Sequence, residues 1–347
     1  MDEQNKNALM LAAAGAGALL ATRAAVKRWR EFDFRGKIVL ITGGSRGLGL
    51  VLARELVREG ARLCICSRDP EELERARADL IKRGAKDVIA VPCDVTDRMQ
   101  VNELVRVVAE RFGSIDVLIN NAGLIQVGPL EVMTLEDYEA AMRTHFWAPL
   151  YATLAVLPAM RKRKAGHIVN ISSIGGKISV PHLLPYSASK FALVGFSEGL
   201  RAELKKDGIV VTTVCPGLMR TGSPRNADFK GRHEAEYAWF KIGDSLPLSS
   251  MSAERAAEQI IRATKRGDAE VVLSVQAQLA VKFHALFPGA TADILALVNR
   301  LLPTHAGEGS IGTRSAKGRE SESAWSSNVL TALSDGAARR NNEMLKE

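Results

Sequence analysis

From residue 36 to residue 273 the chain alternates short apolar runs with longer helical patterns. The strand-like runs lie at 38–42, 62–67, 88–92, 117–120, 167–171, 210–215 and 270–273. Helical patterns separate them at 48–59, 71–83, 100–112, 135–161, 188–206 and 253–265. Few folds accept that order. A strand, a crossover helix and a second strand return parallel, so repetition builds a parallel sheet with helices on both faces. The runs are almost continuous Val, Ile and Leu, as burial on both faces requires. The expected fold is α/β, a doubly wound Rossmann-type parallel sheet of about seven strands.

The remaining segments divide the chain. Residues 36–275 form the expected catalytic domain. Within them, 218–250 mixes Gly, Pro, basic and aromatic residues and reads as a mobile loop region. Two further apolar helical patterns, 276–287 and 292–302, make a helical extension over 276–303. The stretch from Thr304 to about Trp325 is rich in Gly, Ser and charge, and 304–347 is expected as a flexible tail. With 46% apolar residues in 347, the core needs no disulfide or metal staple. Cys64 and Cys66 share one face of a strand, and Cys93 and Cys215 lie in or beside strand-like runs. Small buried hydrophobes are the expected reading, and reduced thiols suit a cytosol-facing protein.

The N-terminal 1–35 stand apart. Residues 8–22 carry no charge, but a helix of that length spans about 22 Å, short of a hydrocarbon core of about 30 Å. Extending it to 8–26 reaches bilayer length with Arg23 snorkelling. Asp2 and Glu3 spoil a signal peptide. Two readings stand. One is an uncleaved apolar helix, with Lys27, Arg28 and Arg30 holding the domain on the cytoplasmic side. The other is an Ala/Gly-rich arm packed on a cytoplasmic protein. The net charge of +8 fits an anionic cofactor or membrane surface. No zinc-finger spacing or RNA-binding aromatic signature accompanies it, so nucleic acid is not expected as a partner.

The first strand runs into Thr42-Gly43-Gly44-Ser45-Arg46-Gly47-Leu48-Gly49. Glycines let a backbone turn sharply beside a pyrophosphate, and the following helix offers free N–H groups and a favourable dipole. Gly43, Ser45, Arg46, Gly47, Leu48 and Gly49 are the candidate phosphate cradle. An acid closing the second strand would favour NAD. Ser67 and Arg68 stand there instead, and Asp69 falls one residue late. Arg46 and Arg68 can clamp a 2′-phosphate, which selects NADP(H); solvated surface arginines are the plain alternative. In Tyr186-Ser187-Ala188-Ser189-Lys190, Tyr186 and Lys190 share a helix face. A nearby ammonium, with the positive nicotinamide of an oxidised cofactor, is expected to lower the phenol, letting Tyr186 exchange the proton that balances hydride transfer. Ser173, thirteen residues upstream, can hold the substrate oxygen.

These motifs resemble the short-chain dehydrogenase/reductase family over roughly 36–273. The resemblance implies that Asp94 and Val95 contact the adenine and that Asn121, Ala122 and Gly123 lie along the cofactor. It implies that Pro216, Gly217 and Thr221 close over the nicotinamide carboxamide, and that Lys190 and Tyr186 also touch the cofactor. The family usually places an Asn in the helix after the fourth strand, and this chain has His145. Either the imidazole relays protons or only the backbone carbonyl matters there. His145 thus joins Ser173, Tyr186 and Lys190 as a candidate catalytic residue.

By the same resemblance, specificity lies in 124–127, 174–184 and 218–248. Ile174, His182, Leu183, Leu184, Leu218, Met219, Trp239 and Phe240 there suit an apolar, lipid-like alcohol or ketone. No histidines cluster as metal ligands. Relatives pair through helices around 135–160 and 188–206, so a homo-oligomer is expected. The competing function is a non-catalytic NADP-binding, membrane-associated scaffold.

Overall fold

The computed structural model describes residues 31–246, 250–304, 314–323 and 331–344, with Gly15 alone before them. The apolar segment expected at 8–26 otherwise lies outside the described residues. Seven parallel strands make the central sheet: β1 (Ile38–Thr42), β2 (Arg62–Ser67), β3 (Val88–Pro92), β4 (Val117–Asn120), β5 (Gly166–Ile171), β6 (Ile209–Pro216) and β7 (Glu270–Leu273). Their order is β3-β2-β1-β4-β5-β6-β7. Leu40 pairs with Cys64 on one side and with Leu118 on the other. The winding therefore reverses between β1 and β4, and the crevice at their carboxyl ends is where such sheets take ligands.

The principal helices are α1 (Gly47–Arg58), α2 (Pro70–Lys82), α3 (Arg98–Phe112), α4 (Leu135–Met142), α5 (Ala148–Arg163), α6 (Leu184–Leu204), α7 (His233–Ser245), α8 (Ala253–Arg266), α9 (Val275–Leu286), α10 (Pro288–Asn299) and α11 (Ala332–Arg340). Alternate strand residues feed two cores. Val39, Ile41, Leu63 and Ile65 pack with α1, α2 and α8. Ile38, Leu40, Cys64 and Cys66 face α3 and α5. All four cysteines are free and buried.

Three expectations change. The single helix expected at 135–161 is α4 and α5 joined by a π-helical turn, Arg143–Trp147. Such turns interrupt the regular ladder at functional positions, and this one carries His145. The region 218–250 is not all loop. Leu218–Arg220 pairs with Ser250–Ser252, and α7 anchors Tyr237 and Phe240 against Val127, Leu183 and Phe229. Local Gly, Pro and charge obscure that helix, which tertiary packing holds. The expected flexible tail contains α11, which docks on α7. Ser245 donates to Ser334 at 2.8 Å, and Lys241 pairs with Asp335 at 2.9 Å. Those contacts are polar and distant in sequence, so no apolar stripe announces them.

The helices α9 and α10 bend by 120° at their junction. They leave Leu279, Phe283, Leu286, Phe287, Ile294 and Leu297 exposed. Among the described residues, no single helix is long and apolar enough to cross a membrane.

Candidate active site

The glycine-rich turn folds as its composition requires. Gly43 (φ 64°) and Gly47 (φ 53°) take left-handed backbone angles. A Cβ on Gly49 would lie 2.0 Å from the Gly43 carbonyl oxygen, so only glycine lets α1 start this close to the turn. Arg46 supplies no side-chain cap to α1, which leaves helix N–H groups for another partner. Thr42 ties the turn to the end of β4. Its hydroxyl accepts from the N–H groups of Asn121 and Ala122 at 3.0 and 3.1 Å. Asn121 Nδ2 in turn donates to the carbonyls of Thr42 and Gly43 at 3.1 and 3.0 Å.

Ser173 follows β5, Tyr186 lies in the first turn of α6, and Lys190 follows one turn later. The Ser173 hydroxyl is a hydrogen-bond partner of the Tyr186 phenol. Lys190 Nζ donates to the Ile171 carbonyl at 2.9 Å and sits 5.6 Å from the Tyr186 ring centre. Burial pushes the Tyr186 phenol up to about 12, against the opposing bond from Ser173. Burial likewise pushes Lys190 down to about 7. In the protein alone, desolvation penalises phenolate and ammonium alike.

Beneath these groups runs a buried polar chain that sequence reasoning missed. Asn120 donates to Asn170 at 2.8 Å, Asn170 to Ser197 at 3.0 Å, and Thr213 to Ser197 at 2.7 Å. Its only sequence signal is Asn ending or interrupting otherwise apolar strands. It joins β4, β5, β6 and α6; α6 carries Tyr186 and Lys190, and Ser173 follows β5.

His145 is 1% exposed, and both ring nitrogens are engaged. Nε2 accepts from the Leu124 N–H at 3.2 Å. Nδ1 lies 2.7 Å from Ser189 Oγ, and Ser189 donates to the Tyr186 carbonyl at 2.8 Å. One arrangement satisfies every contact: a neutral ring protonated on Nδ1. Burial, then the charge of Lys190, holds its pKa well below the ordinary value.

At the far end of the crevice, Arg46 pairs with Glu72 at 2.8 Å, and the Ser45 hydroxyl donates to the same carboxylate. Asp69 caps α2, accepting from the N–H groups of Glu71 and Glu72 at 3.0 Å each. That cap uses Oδ1 alone, and Asp69 lines the cleft together with exposed Arg68. Asp94 accepts from the Thr96 N–H and hydroxyl at 2.9 and 2.7 Å.

One cleft of about 340 Å³ gathers Ser173, Tyr186, Lys190 and His145 with Gly43, Ser45, Arg46, Gly47, Leu48, Gly49, Arg68, Asp94, Val95, Asn121, Ala122, Gly123, Pro216 and Gly217. Thr221 is not brought to it. That residue is buried, and its hydroxyl donates to Ser223 at 2.7 Å. Leu124, Ile125 and Met219 line the cleft, as expected of the specificity segments. Leu183 and Phe240 are instead core residues. His182 is buried with Nδ1 on Glu236 at 2.9 Å, where Trp239 Nε1 also donates at 2.7 Å. Glu343, near the end of the chain, lines the cleft without having been anticipated.

Residues 37–229 match the family model for short chain dehydrogenases. The chain is 35% identical over 268 residues to dehydrogenase/reductase SDR family member 7B of Bos taurus, covering 76% of this chain and 81% of that one. An actinorhodin polyketide ketoreductase solved with NADPH superposes with a TM-score of 0.61 at 33% identity, covering 69% of this chain and 95% of its own. A short chain dehydrogenase/reductase from Burkholderia phymatum, in complex with NAD, gives 0.69 at 26% identity, with coverages of 75% and 96%. The family match takes in more than half of the chain, from the first strand past Lys190, and this chain belongs to the short-chain dehydrogenase/reductase family of oxidoreductases.

Proposed function

We propose that this oxidoreductase interconverts a carbonyl and a secondary alcohol with NADP(H), on an apolar, lipid-like substrate. The observation that carries the reading is the meeting of Ser173, Tyr186 and Lys190 with the glycine-rich turn on one cleft. The residues fit a dinucleotide: a Cβ on Gly43 would lie 2.9 Å from Ala122 Cα, so only glycine lets the turn pack against the end of β4, and the turn and the start of α1 border the cleft with backbone suited to phosphates. When bound, the nicotinamide donates or accepts the hydride. Tyr186, held protonated by burial, gives its proton to the substrate oxygen in reduction and retrieves it in oxidation. Ser173 donates a hydrogen bond to that oxygen, and Lys190 holds ribose hydroxyls.

Arg46 and Arg68, both on the cleft, support NADP(H) over NAD(H). Asp94 and Val95 border the adenine end, Asn121, Ala122 and Gly123 the middle, and Pro216 and Gly217 the nicotinamide end. Thr221 would have to leave Ser223 to join them. His145 acts as a positioning residue, through Ser189, on the first turn of α6. Leu124, Ile125 and Met219, with exposed Leu184 and Leu218 nearby in sequence, support an apolar substrate.

Membrane association with the catalytic domain facing the cytoplasm belongs to the same reading. The uncharged residues 8–22 and the exposed apolar side chains of α9 and α10, with Lys282 and Arg300 among them, support it. A cytoplasmic protein is the alternative. Exposed Trp147, Leu154 and Phe191 around α5 and α6 support pairing of two copies there. The test is turnover: purified protein with NADPH and a panel of apolar ketones should consume cofactor. Cofactor binding without turnover on any of them would favour the scaffold reading.

A further inference from the structure

Residues 341–343 sit on the glycine-rich turn. The Gly47 N–H, first of α1, donates to the Asn341 carbonyl at 3.0 Å. Asn342 Nδ2 donates to the carbonyls of Ser45 and Glu72, each at 2.9 Å. Arg54 holds Asn341 Oδ1 and the Arg340 carbonyl at 2.9 Å each, and Arg75 holds Asn342 Oδ1 at 3.1 Å. Asn342 takes a left-handed φ of 59°, which turns the chain inward. Glu343 then enters the cleft. It accepts from the Gly222 N–H, and its Oε1 would lie 3.1 Å from a Cβ on Gly47.

A carbonyl oxygen and a carboxyl group thus stand where a helix N-terminus would otherwise meet phosphate oxygens. Both present acceptors, as a phosphate does. Both cannot share the place with one, because the donors are single and the charges repel. The docking is also only partly comfortable. Burial and the neighbouring Glu72 push Glu343 up to about 7, against the Gly222 bond and Arg46, and Glu343 in turn helps raise Asp244.

We propose that residues 340–343 are an intrinsic competitor of the dinucleotide, with the Asn341 carbonyl and the Glu343 carboxyl occupying its phosphate subsite until the cofactor displaces them. The inference rests on the dinucleotide reading of the cleft and adds an autoinhibitory contact to it. The site then opens in two steps, release of the segment and binding, and apparent affinity falls by the fraction of molecules with the segment released.

The test measures NADPH and NADP+ binding to the full chain, to Glu343→Gln, to Asn342→Ala and to a chain ending at Arg339. It is combined with hydrogen exchange over 335–347 and a melting curve for each protein. The shortened chain should bind about fivefold more tightly, and the point variants about twofold, with faster association. Exchange over 335–347 should rise when cofactor is added to the full chain. Asn342→Ala keeps the question decidable if the shortened chain folds poorly. Equal or weaker binding by the folded variants, with the segment still protected in the presence of cofactor, would overturn the competition. If neither the full chain nor the variants bind any nicotinamide dinucleotide, the dinucleotide reading itself fails, and the competition fails with it.

Discussion

Replacing His145 separates two ways of building a proton path. The neutral ring uses its one N–H toward Ser189 and its lone pair toward the Leu124 N–H. To carry a proton it would need a second N–H on Nε2, opposing the Leu124 N–H at 3.2 Å in a buried site that disfavours charge. The ring also packs edge-on to Tyr186, centroids 5.3 Å apart. His145→Ala leaves a buried donor unpaired and a void beside Tyr186. The expected loss is about 3–5 kcal/mol of stability, from one or two orphaned groups plus a cavity. The corresponding drop in Tm is on the order of 8 °C. A misplaced Tyr186 costs up to about a hundredfold in kcat. His145→Asn keeps a donor and an acceptor near the same positions, so kcat should fall no more than about tenfold for a group that only positions. The assay is steady-state reduction of a responsive ketone from pH 5 to pH 9, alongside melting curves. The pH–rate profile of His145→Asn should superpose on that of the parent after scaling. Loss of one limb of that profile at unchanged Tm would refute the reasoning and make the imidazole a proton carrier.

Arg68→Asp should erase or invert the preference for NADP(H), since each charge-assisted bond to the 2′-phosphate contributes about 1.5–3 kcal/mol; equal kcat/KM for the two cofactors in the parent would contradict the clamp. Glu72→Gln should strengthen the preference by releasing Arg46 from its 2.8 Å pair, and specificity constants for NADP+ and NAD+ measure it. Because Lys190 is held down to about 7, its ammonium is present below that pH and lost above it in the free protein. Accordingly kcat/KM for NADPH should decline as pH rises through about 7, and Lys190→Met should lack that limb while binding cofactor poorly throughout. The full chain should stay with membranes through high-salt and carbonate washes, whereas a chain lacking residues 1–30 should lose most of that retention; a full chain soluble in every wash would remove the anchor.

The sheet was legible because burial on both faces leaves uninterrupted apolar runs; β1, β2, β3, β4 and β7 lie at the expected positions. That the candidate catalytic residues share one cleft was legible because short fixed spacings, such as Tyr186 to Lys190, translate directly into one helix face. Three kinds of feature escaped. The π-helical turn at His145 has no periodic signature distinct from its flanking helices. Helix α7 is held by apolar packing on Val127 and Leu183, remote in sequence, and α11 by remote polar contacts such as Ser245 to Ser334. The pKa of Tyr186 depends on how completely α6 and its neighbours exclude water, and no local pattern encodes that. Glu343 combines two of these difficulties, since 297 positions separate its neighbour Asn342 from Ser45, whose carbonyl that neighbour caps.

The most direct test of the central claim is Tyr186→Phe, compared with the parent in NADPH-dependent reduction of an apolar ketone and in NADPH binding. Removing the phenolic proton alone should cost about 10²–10⁴-fold in turnover, with cofactor affinity within about threefold of the parent, since one neutral hydroxyl is lost at most. A folded Phe variant that reduces the ketone at near-parental rate would contradict the assignment of Tyr186 as the acid.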